Sequence, residues 1–172
     1  MNLVSEPTFA DFVLLVVALP FALWAAWGDL KSMRITNQLN MLLFCAFLVT
    51  GLLVLPVQEY GLRVGIGILA LIIGFFLNAI GAMGGGDAKY IAAFMPFIAP
   101  PDIPYFFFLL ALCLLAAVII HKFAGRISAI RSVVPDWKSW QAGKKFPMGF
   151  ALSGALILYL AVRAFNLPVG TV

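Results

Sequence analysis

Charge is scarce in this chain: aspartate, glutamate, lysine and arginine make up 10% of the 172 residues, against 64% hydrophobic ones. Such a chain cannot cover itself with a water-compatible surface, which excludes a soluble globular protein and points to an integral membrane protein. Cysteine and histidine are nearly missing too, at 2 and 1 residues. Cys45 and Cys113 fall inside apolar runs and read as packing residues. His121 has no cysteine or second histidine near it, so no metal site and no cofactor are expected. The start is acidic, with Glu6 and Asp11 and no basic residue ahead of the first apolar run. That is unlike the positive n-region of a cleavable signal peptide, so the first run is expected to remain as a helix. No nucleic-acid partner is expected.

What is present is a series of long, continuous apolar runs, without the alternating ten-residue segments of a barrel. The expected fold is all-α, a polytopic bundle of about six transmembrane helices. The runs are Phe9–Trp27, Leu39–Leu55, Val64–Ala82, Ala88–Ala99, Ile103–Ile120 and Pro147–Ala164. Each crossing uses about 20 residues, so residues 1–172 are read as one membrane-embedded domain. The fourth run is the weak one. A dozen helical residues reach only about 18 Å of a roughly 30 Å core, and Pro96, Pro100, Pro101 and Pro104 oppose a long straight helix there. A tilted crossing and a re-entrant segment are the alternatives.

Charge favours a crossing. With about six spans, Lys31, Arg34, Lys89, Lys122, Arg126, Arg131, Lys138, Lys144 and Lys145 share one side, and Arg63 and Arg163 the other. Basic loops stay cytoplasmic, so both termini are expected outside. Within the basic segment His121 to Phe146, Ile127, Ile130, Val133 or Val134, Trp137 and Trp140 recur at three- and four-residue steps. This spacing predicts an amphipathic helix in the headgroup plane of an anionic leaflet, bent or broken at Pro135. A flexible basic loop is the alternative reading.

Two aspartates stand out at the boundaries of the apolar runs. Asp29 follows the first run, and Asp87 sits in Gly84-Gly85-Gly86-Asp87-Ala88-Lys89 between two others. Ionisable groups in such places are costly, and function is the default hypothesis. Both are expected on the basic, cytoplasmic side, too shallow for a midplane transport site and suited to a substrate arriving from that side. Two neighbouring carboxyls share a proton, so one can activate a water while the other protonates the developing oxyanion or leaving amine. The three glycines allow a backbone to approach closely. Taken singly, each aspartate has a plainer reading: Asp87 as a helix N-cap, Asp29 as a solvated acid near Lys31 or Arg34. Elsewhere, Asn37 and Asn40 are expected to cap the second helix, Asn78 to pack by hydrogen bonding within the third, and Gly65, Gly67 and Gly74 to permit close helix contact.

The joint pattern resembles the type IV prepilin peptidases, polytopic GxGD aspartic proteases of the bacterial inner membrane. Asp29, Arg34, Ile35 and Asn37 match the family's first aspartate and its Ile-Pro-Asn turn, with Thr36 in place of the proline, a loosened turn. Gly84, Gly86, Asp87 and Lys89 reproduce Gly-x-Gly-Asp-x-Lys, and Phe146 to Phe150 look like the Pro-containing start of the last helix. The match runs from roughly Asp29 to Gly154. The paired Cys-x-x-Cys segment of long family members is not found in this chain, which implies no methyltransferase activity. The short layout is most similar to the peptidases of tight-adherence (Flp-type) pili.

The resemblance implies an endopeptidase that removes the leader from a prepilin at the cytoplasmic membrane face, through direct attack of water. Asp29 and Asp87 are the implied catalytic pair. Gly84, Gly85, Gly86, Lys89 and Asn37 are the supporting or substrate-binding residues, membrane lipids the surroundings, and the pilus assembly machinery a further partner. Presenilin-like proteases share the Gly-x-Gly-Asp element, but their Tyr-Asp motif is missing here. A small transporter, with the aspartates binding a cation or proton, and a silent scaffold of a pilus or secretion machine are the competing readings. The transporter reading requires repeats and broken midplane helices that the sequence does not display.

Overall fold

The computed structural model describes residues 9–141 and 146–165, which form helices and, among the described residues, no strand. In chain order the helices are α1 (Phe9–Ser32), α2 (Asn37–Val54), α3 (Val57–Ala79), α4 (Gly85–Phe94), α5 (Ile103–Ala124), α6 (Ser128–Val133) and α7 (Met148–Phe165). Five of them, α1, α2, α3, α5 and α7, are long and apolar enough to cross a membrane. Their outer faces carry exposed Leu53, Phe75, Phe76, Phe108 and Leu115, the opposite of a water-soluble surface. This is an all-α polytopic membrane bundle.

α1 packs along α7 more extensively than any other pair of elements. The buried face of α1 is Leu14, Ala18, Ala22, Ala25 and Asp29, at the three- and four-residue steps of one helical stripe. Small alanines let α7 come close through Leu152, Ala155, Leu156 and Tyr159. The register that buries the alanines also carries Asp29 onto the inner face. α1 therefore continues one turn past the expected end at Trp27, and Asp29 is 5% exposed, not a solvated loop acid.

α4 lies inside this shell, against α3, α2 and α7. Tyr90 Oη and Ser153 Oγ are 2.9 Å apart, tying α4 to α7. At Gly67 an added Cβ would lie 2.7 Å from Pro96 Cγ, and at Gly74 one would lie 3.0 Å from the Ala88 Cβ, so two of the three expected contact glycines do allow close packing. Gly65 has nothing within 4 Å of its Cβ position and faces outward instead.

The fourth run ends helically at Phe94 and continues through tight turns at Met95–Phe97 and Pro100–Asp102. Even so it reaches the far end of the bundle. Asp102 Oδ2 lies 3.7 Å from Arg163 Nε, and Arg163 Nη2 lies 2.7 Å from Asp11 Oδ2. Asp11 and Asp29 are separated by about 27 Å of α1 at helical rise. Reaching as far between Asp87 and Asp102 requires a larger rise per residue than an α-helix gives, and 3₁₀ turns and extended residues supply it. Tyr159 Oη accepts from the Ala99 N–H at 3.0 Å and donates to Asp102 Oδ2 at 2.9 Å, which fixes this turn.

Other boundaries differ modestly. α3 begins at Val57, two turns before the expected start, because Arg63 turns inward to Glu59 and the Phe97 carbonyl. Cys45 is exposed on the outer face of α2, so it is not a packing residue, whereas Cys113 is half-buried. The expected amphipathic helix after α5 is reduced to the six residues of α6. Beyond it Trp137 stacks on Trp140, and Trp140 stacks on His121 with ring centroids 4.7 Å apart. Trp137 also packs edge-on against Trp27 of α1. Glu6, Lys144 and Lys145 lie outside the described residues.

Candidate active site

The end of the bundle holding Asp29 is built from three helix ends and one glycine-rich turn. α1 stops at Ser32, where Met33 takes a left-handed conformation with φ 55° and its N–H closes onto the Asp29 carbonyl at 2.8 Å. The chain then turns through Arg34, Ile35 and Thr36 into α2. Thr36 is the N-cap, its Oγ1 accepting from the Leu39 N–H at 3.3 Å. A threonine can do this where a proline cannot, so the departure from the Ile-Pro-Asn pattern is compensated locally. Asn37 and Asn40 are therefore not the caps. Asn37 Oδ1 accepts from Lys89 Nζ at 3.0 Å, and Asn40 is buried.

Asp29 meets the start of α7. Its Oδ2 accepts the Gly149 N–H at 2.7 Å, and the Phe150 N–H also points to it. A carboxylate at a helix N-terminus satisfies unpaired N–H groups and faces the positive end of the macrodipole. At Gly149 a side chain would have to push its neighbours aside: a Cβ would lie 2.7 Å from Ile35 Cδ1 and 3.0 Å from Asp29 Oδ2. Sequence reasoning placed this residue in the family pattern but did not count it in the site.

The second carboxylate comes from the turn between α3 and α4. Gly81, at φ 75°, makes a reversal that a side chain rarely adopts. Asn78, near the end of α3, donates from Nδ2 to the Met83 carbonyl at 2.9 Å, pinning the loop; it does not bond to a neighbouring helix. Gly84 is the N-cap of α4, so Asp87 is not the cap but the third residue of the helix, in its first turn. Its Oδ2 folds back to 2.7 Å from where a Gly84 Cβ would stand. Gly86 comes close to the Ile35 backbone, 3.6 Å from its carbonyl oxygen to a Cβ position. The glycines thus let the second carboxylate lie close to the Ile35 turn.

Both aspartates line one open cavity of about 790 Å³, together with Met33, Ile35, Gly84 and Met148. Among the described residues no lysine or arginine forms an ion pair with either. Asp87, outside the five long helices, is pushed up to about 6, first by burial and second by the Asp29 carboxylate. Such a pair can hold a single proton between two acids near neutral pH. Gly85 flanks Asn78, where its Cβ would lie 3.4 Å from Nδ2. Lys89 faces away from this cavity. No cluster of three metal-ligating side chains occurs among the described residues.

In comparisons with known proteins, a model of the type IV leader peptidase family matches residues 16–120. The match covers more than half the chain, from the middle of α1 through both aspartates, the glycine-rich turn and α5. No curated protein and no solved structure matches the chain.

Proposed function

Because the chain belongs to the type IV leader peptidase family, we propose that it is the endopeptidase that removes the leader from Flp-type prepilins, with Asp29 and Asp87 as its catalytic pair. Family membership supports a prepilin-type peptidase in general. The pairing rests on one observation above others: two carboxylates line a single open cavity and, although Arg34 also lines it, neither forms an ion pair among the described residues. Acids held for structure are paired with a cation, whereas buried Asp29 and half-buried Asp87 lack one and are left to share a proton.

Water bound between the carboxyls attacks the scissile carbonyl. The ionised aspartate takes its proton while the protonated one donates to the carbonyl oxygen; as the tetrahedral intermediate collapses, the first gives the proton it took to the leaving amine and the second regains one from a hydroxyl of the intermediate. The roles are not divided between the two residues, since a coupled pair titrates as a unit. Lys31, Arg34, Lys89, Lys122, Arg126, Arg131 and Lys138 gather at the aspartate end, which supports a cytoplasmic active site and termini outside, in the bacterial inner membrane. The whole chain acts as one peptidase domain, without methyltransferase activity, beside the pilus assembly machinery.

The test is cleavage of a Flp-type prepilin by the purified protein in bilayers, read as a gel shift with sequencing of the new N-terminus. One cut at the leader boundary is expected. An intact prepilin, with the protein folded and in excess, would sink the reading.

A further inference from the structure

A second cavity, of about 380 Å³, lies between α2, α3 and α4. Asp87 and Lys89 are two residues apart on α4, so they project about 200° apart around its axis: the first lines the aspartate cavity and the second lines this one. The walls are apolar, from Phe44, Ile68, Leu71 and Ala92, and Ile68 and Leu71 are about half exposed on the membrane-facing side.

Its polar groups are Asn37, Asn40 and Lys89. The first and last satisfy each other, Nζ to Oδ1 at 3.0 Å. Asn40 does not share in this. It is 6% exposed, and neither its amide nitrogen nor its amide oxygen has a hydrogen-bond partner. A buried amide left so is destabilising, and a lipid chain offers it neither a donor nor an acceptor. A peptide group offers both at once. In a bilayer the peptide groups free to do so belong to a segment whose helix is opened, which is the state a chain must reach for its backbone to be cut.

We propose that this cavity receives the apolar segment of the substrate just beyond the scissile bond, and that Asn40 binds one of its exposed peptide groups. The inference rests on the peptidase reading and deepens it. Placement supports it. Thr36 lines the aspartate cavity and Asn37, next in the chain, lines this one, so the two cavities border each other at the start of α2, beside the exposed Asn37–Lys89 pair. Asn40 is about 4.5 Å further along α2 from that pair. A chain cut at the carboxylates and continuing into the membrane passes Asn40 within its first few residues.

Two measurements on the full-length protein in bilayers test this. In the first, a photo-crosslinking residue replaces Ile68 or Leu71 in an Asp87→Asn background that leaves a prepilin uncut, with Phe107 on the outer face of α5 as the control position and Met33 as the position in the aspartate cavity. Adducts at 68 and 71 with the first two turns after the scissile bond, and none at 107, are expected. In the second, Asn40→Leu keeps the volume and removes the amide. Its kcat/KM is expected to fall about tenfold, the value of one good hydrogen bond, while its thermal midpoint rises by roughly 2–4 °C as an unpaired polar group is removed. A midpoint that falls would make Asn40 a structural residue and overturn the proposal. So would parental cleavage by Asn40→Leu, or adducts from Met33 with only phospholipid adducts at 68 and 71; in both cases the peptidase reading stands. A parent protein that cuts no prepilin overturns that reading and this inference with it.

Discussion

At the end of the bundle away from the glycine turn, Asp11 and Asp102 flank Arg163, and Tyr159 and the Ala99 N–H complete a buried network. At the other end, Asp29 and Asp87 line an open cavity, and no cation pairs with either among the described residues. Asp11, Asp29 and Asp102 are all buried, so burial does not separate the two regions. Their partners do. An arginine between two acids offsets their charge and fixes helices, whereas two acids lining one open cavity without such a partner keep a proton in play. The two ends are joined by α1 and α7, which contribute a residue to each: Asp11 and Asp29 from one, Arg163 and Gly149 from the other.

The comparison is broken most directly by neutralising each end in turn. Asp29→Asn and Asp87→Asn are each expected to reduce prepilin cleavage by about 10²–10⁴-fold, the range of general acid–base catalysis, with little change in melting. Arg163→Leu is expected to do the reverse. It strands two buried carboxylates and costs about 3–5 kcal/mol, read as a lowered melting point, while molecules that remain folded cut at a near-parental rate. If Arg163→Leu were as inactive as the aspartate variants in protein that melts normally, the division between the two ends would fail.

Gly149→Ala tests how tightly the site is held. Its methyl group would meet Ile35 and Asp29 at 3.0 Å or less, and displacing a catalytic group by an ångström costs on the order of 10²-fold in rate; kcat should fall by about that much. The pH profile is a gentler probe. Asp87 is raised to about 6, so below that pH the free pair holds its proton, and as pH rises through it the proton leaves. The kcat/KM for cleavage is expected to decline on the alkaline side of about pH 6, since it reports groups of the free enzyme. The smallest change is Asn78→Leu, which releases the glycine turn from its bond to the Met83 carbonyl. A loss of about 0.5–1.5 kcal/mol, seen as a several-fold lower kcat, is expected.

Much of the fold was legible in apolar runs alone, because a membrane helix is specified by length and composition. α2, α5 and α7 fall within a few residues of the expected spans. α3 started early because Glu59 and Arg63 pair within the helix, which a hydropathy window counts against it. Asp29 was noticed for its type and spacing but placed outside the helix. The signal that buries it, the step from Ala18 through Ala22 and Ala25 to Asp29, is one of register, and it acquires meaning only with α7 alongside. The Trp137 and Trp140 pattern resembled an amphipathic face, yet those rings pack on Trp27 and His121 through a turn after Pro135. Gly149 and Asn78 were noticed, but their roles in the site were not legible for another reason: each acts through a contact distant in sequence or in a turn whose geometry the residue types do not specify.

The coupling of the two carboxyls is tested most directly by an infrared titration of the protonated-carboxyl band in the parent protein, with Asp87→Asn to assign the band and Asp29→Asn to remove its neighbour. If the two act as a pair, Asp87 titrates near pH 6 in the parent and at lower pH once Asp29 is neutral, because burial still raises it but the like charge that added to burial is gone. An Asp87 band whose midpoint is unchanged by Asp29→Asn would mean that the carboxyls do not sense each other, and the shared-proton account would be wrong.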